Sequence, residues 1–159
     1  MITKKTIIGL IVLIAAVNSN AQVNKEDSFG LGLILGEPSG MSFKYWMNDK
    51  YAIDGGVAWS FIDHDGLQIH ADYLFHDYKL NNSEQWPAYY GLGALLKFEK
   101  DEKRHDGDTV FGFRVPLGMS YFFENKKPYE FFIEIAPILD LAPDVDISVN
   151  AAVGLRFYF

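Results

Sequence analysis

The chain has no cysteine, which excludes a disulfide framework, a thiolate metal site and a lipid-modified N-terminal cysteine. Proline is sparse, with 6 in 159 residues, so long stretches of backbone keep their full set of N–H donors. Basic side chains are in deficit. The 14 Lys and Arg face 21 Asp and Glu, for a formal charge of −7, which argues against nucleic acid as a partner. It also argues against a peripheral protein held by anionic headgroups, which needs an excess of Lys and Arg. A helical membrane span is missing as well: the apolar run 7–17 has 11 residues, well short of the roughly 20 that a spanning helix needs.

That run has another reading. Lys4 and Lys5 precede it, and Ser19 and Ala21 put small residues three and one positions before a cut that would leave Gln22 first. This is the pattern of an export signal. Residues 1–21 are therefore expected to be a cleaved signal peptide and 22–159 a single domain. Cleavage would remove two lysines and no acid, leaving 12 basic and 21 acidic side chains and a formal charge of −9.

What the chain has in quantity is aromatic residues, 16% of the total, set in segments that alternate with period two. Eight such segments follow one another: 28–36, 40–47, 50–61, 67–76, 88–99, 109–122, 129–140 and 146–159. In the last, Ile147, Val149, Ala151, Val153, Leu155, Phe157 and Phe159 alternate with Ser148, Asn150, Gly154 and Arg156. Each segment reads as a strand with one apolar face, and the last is long enough to cross a bilayer as a tilted strand.

The placement of charge separates a water-soluble barrel from a membrane one. A soluble barrel such as a lipocalin carries its large polar side chains outside. Here the non-apolar faces mix Gly, Ala and Ser with isolated charges: Lys44, Asp54, Asp72, Lys97, Glu99, Arg114, Glu130, Glu134 and Arg156. Such a mixture fills a narrow lumen better than it coats a surface. The apolar face then looks outward into lipid.

Aromatic placement is a separate test. With both termini on the periplasmic side, the lower strand ends collect Trp46, Tyr51, Tyr73, Phe75, Tyr89, Tyr90, Tyr121, Phe122, Tyr129, Phe131, Phe157, Tyr158 and Phe159, as an interfacial girdle requires. Trp59, Phe61, Phe98, Phe111 and Phe113 would form a thinner upper girdle.

Over nearly all of 22–159 the pattern resembles the small eight-stranded outer-membrane barrels of the OmpA and OmpX type. The local match is a C-terminal assembly signal, Gly154, Phe157 and the final Phe159, with Ala152 standing where that family usually has a polar residue. The resemblance implies an all-β, eight-stranded antiparallel up-and-down transmembrane β-barrel. It implies a home in outer-membrane lipid and a passing encounter with the barrel-assembly machinery. A monomer is expected, with no cofactor, no metal and no nucleic-acid partner.

Eight strands leave an interior that side chains fill. Buried cations stay charged only beside carboxylates, so Lys44, Asp54, His70, Asp72, Lys97, Glu99, Arg114, Glu130, Glu134, Asp140 and Arg156 are expected to form an internal charge network. A structural or envelope-integrity role follows, with a narrow solute channel as the alternative. A lipid-modifying enzyme using a histidine, a serine and a carboxylate is the third reading. His70 and Asp72 share a face, but mid-strand inside the lumen, away from acyl chains in the outer leaflet. His64 between Asp63 and Asp65 reads as an acidic turn rather than a cation site, and the Asn81-Asn82-Ser83 sequon as chance. The outward connections are short, which offers a partner little area.

Overall fold

The computed structural model describes residues 28–60, 66–80, 83–99, 109–123 and 128–159. The proposed signal segment, the His64 turn and the Asn81-Asn82 pair lie outside the described residues. Nine antiparallel strands are present among them: β1 (Phe29–Glu37), β2 (Ser39–Trp46), β3 (Tyr51–Ser60), β4 (Gly66–Asp77), β5 (Ala88–Glu99), β6 (Thr109–Arg114), β7 (Leu117–Phe122), β8 (Tyr129–Ala142) and β9 (Asp146–Tyr158).

The sequence reading has eight strands, and the difference lies at Pro116. Without an N–H, Pro116 cannot donate to the ladder, so the segment 109–122 divides into β6 and β7. The wall is nevertheless continuous there. Arg114 pairs with Ile138 and Leu117 with Ile135, an unchanged offset against β8. The backbone bonds at the break are Val115 N–H to Pro137 O and Gly91 N–H to Pro116 O, both 2.9 Å. β6 and β7 are therefore two halves of one stave in an eight-stave barrel.

β1 pairs with both β2 and β9, so the sheet closes on itself and no stave is left without two neighbours. The register measures the tilt. Starting at Ile147 and stepping through paired residues, Leu139, Phe113, Ala94, Ala71, Gly55, Phe43 and Leu31, one circuit returns to β9 at Phe157. That stagger of 10 residues is the shear of the barrel. With ~3.3 Å per residue and ~4.8 Å between strands, it sets the staves at ~40° to the axis.

The alternation sorts side chains by face. Phe113, Leu117 and Val153 are 53%, 44% and 42% exposed, whereas Arg114 is 2% exposed. An aqueous barrel would have the reverse order, so the lipocalin-like arrangement is not the one adopted. Where a large side chain points inward, its cross-strand partner is often glycine. Gly30 pairs with Tyr158, Gly32 with Arg156, Gly118 with Tyr89, Gly93 with Asp72 and Gly154 with Phe132. A Cβ on Gly154 would come within 2.2 Å of the Phe132 ring, and one on Gly118 within 2.3 Å of Tyr89. The inward glycines are the space into which the lumen side chains fit.

One expectation is corrected. Trp46, Tyr89 and Tyr158 do not belong to the lower girdle: they are buried inside the barrel, and Phe122 packs against Trp46 and Tyr158 there. Parity decides this, since each sits on the inward register. The outward aromatics do form two chains of ring contacts, one with Tyr51 to Phe75 at 5.4 Å and Phe75 to Tyr90 at 5.5 Å, the other with Tyr129 to Phe157 at 5.3 Å and Phe157 to Phe159 at 5.1 Å.

Candidate functional site: a lumen filled by paired charges

The inward faces bring ionisable groups together in three tiers. In the lowest, Lys44 on β2, Asp54 on β3, Glu130 on β8 and Arg156 on β9 meet. Arg156 Nη2 donates to both oxygens of Asp54, at 2.9 and 2.7 Å, and Nη1 to Glu130 at 3.3 Å. Its Nε donates to Ser42 Oγ at 2.7 Å, and its guanidinium lies 3.8 Å from the centre of the Phe132 ring. Lys44 Nζ donates to Glu130 at 2.8 Å, lies 3.0 Å from His76 Nε2, and sits 4.5 Å from the Trp46 ring centre. Glu130 also accepts from the Ser120 and Tyr158 hydroxyls. Two cations and two carboxylates thus neutralise one another with every carboxylate oxygen hydrogen-bonded, the condition under which charge survives burial.

In the middle tier Arg114 Nη2 donates to Glu134 at 2.5 Å, and the Tyr89 hydroxyl donates to the other oxygen of Glu134 at 3.0 Å. Arg114 Nε is 3.3 Å from Asp72, yet neither atom makes a hydrogen bond. The distance supports charge pairing; the N–H is not aimed at the oxygen. His70 Nε2 is 4.0 Å from Asp72, and its Nδ1 has no partner among the described residues.

The top tier is Lys97 Nζ with Asp140 at 2.9 Å and Ser148 at 3.1 Å. Its side chains are more open, 17% and 9% exposed. The side chain of Glu99 lies outside the described ones.

Ser42, Ser120, Tyr158, Tyr89, His76 and Ser148 are members that a search for charge alone misses. The signal that finds them is inward parity in the strand. Gly154 of the expected assembly signal sits beneath Phe132, while Phe157 faces outward between Tyr129 and Phe159. None of the described residues forms a group of three or more His, Asp or Glu able to hold a metal ion.

The fold is similar to that of the N-terminal β-barrel domain of Pseudomonas aeruginosa OprF, with a TM-score of 0.68 at 12% identity over 84% of this chain and 98% of that one. It is also similar to Neisserial surface protein A, with a TM-score of 0.54 at 15% identity over 83% of this chain and 94% of that one. Both are small barrels with which the chain shares its architecture. No curated protein matches the sequence. Residues 20–159 match the family described as Protein of unknown function (DUF3996), and the chain belongs to that family.

Proposed function

We propose that the protein is an integral outer-membrane barrel whose lumen is closed by its own side chains and whose role is structural, in envelope integrity. Exported, it would leave its apolar face in lipid, where every backbone group must be paired internally; the closed ring meets that demand. The observation that carries the closed lumen is Arg156. From β9 it reaches Asp54 on β3, Glu130 on β8 and Ser42 on β2, so the lowest tier is tied across the cylinder rather than arrayed around a water column. Below it Trp46, Tyr158 and Phe122 pack together.

Gly154, Phe157 and Phe159 would serve the assembly machinery during insertion, and the inserted protein would act as a monomer. Planar-bilayer recording of the purified protein tests the closed lumen. The expected trace is silent; steady unitary currents would establish the narrow-channel alternative instead.

A further inference from the structure

Three prolines withdraw ladder donors around a single stave, the one made of β6 and β7. Val115 N–H donates to Pro137 O at 2.9 Å, but Pro137 has no N–H to return to Val115 O. Gly91 N–H donates to Pro116 O at 2.9 Å, and Pro116 returns nothing to Gly91 O. Further down the same junction, Ser120 N–H donates to Pro87 O at 3.0 Å, again with no bond in return. The carbonyls of Gly91, Val115 and Ser120 thereby lose their ladder donors.

Two of these three halved rungs lie between β5 and β7. From Gly91 down to Pro87, only Tyr89–Gly118 keeps a donor on each side. The opposite edge of β5 is different: its ladder with β4 runs from Asp77–Ala88 to Gly66–Glu99 with no proline on either strand.

Side chains cross the thinned junction. Inside, Tyr89 leaves β5, passes over Gly118 of β7 and donates its hydroxyl to Glu134 of β8 at 3.0 Å. The missing Cβ of Gly118 is what lets the ring lie across the stave. The other Glu134 oxygen accepts from Arg114 Nη2 at 2.5 Å, and Arg114 belongs to β6, on the far side of the break at Pro116. Outside, the Trp86 and Tyr121 ring centres are 4.5 Å apart.

We propose that the β5–β7 junction is a lateral gate in the lower half of the wall, held shut by the Tyr89–Glu134 hydrogen bond. Release of this strap parts β5 from β7 at the rungs of Gly91, Tyr89 and Pro87. The β4–β5 ladder and the Arg156–Asp54 pair use neither of the parting edges and stay formed. The opening faces sideways, so it adds no axial path and goes beyond the closed-lumen reading.

The alternation within β5 supplies an internal control. Gly91 N–H faces β7, so Tyr89 N–H does too, whereas Tyr90 and Leu92 N–H face β4. Amide hydrogen exchange, followed by NMR on the full chain folded in detergent micelles, reads the two edges separately. Tyr89, Gly91, Gly118 and Ser120 should exchange about tenfold faster than Tyr90 and Leu92, the equivalent of one hydrogen bond. Tyr89→Phe, which removes the hydroxyl and keeps the ring, should speed the first set about tenfold more and leave Tyr90 and Leu92 unchanged. Pro87→Ala, which restores a donor toward Ser120 O, should slow the first set by about the same factor. Heat-modifiable migration verifies that each barrel is folded.

Equal protection on the two edges of β5 would overturn the gate. Unequal protection that Tyr89→Phe leaves as it was would overturn the strap, and exchange that rises on both edges together would reveal general loosening and overturn both. Should Tyr89→Phe not fold, Pro87→Ala decides, and unchanged exchange in it would overturn the gate. Unitary currents in a planar bilayer would refute the closed lumen and leave this junction untouched.

Discussion

Arg156 and Asp54 are 102 residues apart in sequence and joined by two hydrogen bonds, both from the same guanidinium nitrogen, inside the barrel. The pair fixes β9 against β3 across the lumen. Removing one charge leaves the other buried beside Glu130 and Lys44, and breaking such a pair costs about 3–5 kcal/mol. Asp54→Asn should therefore lower unfolding stability in urea by about that much. Asp140→Asn, at the Lys97 pair, whose lysine is 17% exposed, should cost less, about 1–3 kcal/mol. Equal losses at the two sites would contradict the tiered picture.

Gly154 has two competing explanations, a recognition feature for assembly and a space for the Phe132 ring. They separate in a double-mutant cycle. Gly154→Ala pushes a methyl group against that ring, and packing predicts that Phe132→Leu relieves it, with a coupling energy of about 1–3 kcal/mol in unfolding measurements. A pure assembly role predicts poor insertion of Gly154→Ala that Phe132→Leu leaves unrepaired.

His70 tests the enzyme alternative. It is buried mid-lumen beside Asp72, and no serine hydroxyl among the described residues hydrogen-bonds it. Cells carrying His70→Ala should show the same outer-membrane lipid profile as wild type by mass spectrometry. A missing acylated or deacylated species would reinstate catalysis.

Much of this architecture is legible in the chain itself, because a period of two assigns each side chain to a face without knowledge of the partners. That suffices for Phe113 outward and Arg114 inward. It does not suffice for the ends of the staves, where Trp46, Tyr89 and Tyr158 were expected at the interface by type and are inside by parity. Nor does it show which charges meet. Arg156 reaches Asp54 because β9 closes on β1: Arg156 pairs with Gly32, Gly32 with Ser42 and Ser42 with Gly56, two residues from Asp54, a closure that the alternation within any one strand does not reveal. The break at Pro116 is legible as a missing donor, but the unchanged register across it follows from both neighbours continuing past.

The orientation of the two faces is the claim on which the rest stands, and the absence of cysteine makes it directly measurable. Single cysteines carrying a nitroxide, introduced at Phe113, Leu117 and Val153 and at Ser42, Ser120 and Ser148, report collision with dissolved oxygen and with a water-soluble nickel chelate in lipid vesicles. The account predicts high oxygen and low nickel collision at the first three, and shelter from membrane oxygen at the inward serines. Nickel-accessible labels at Phe113, Leu117 and Val153 would contradict it.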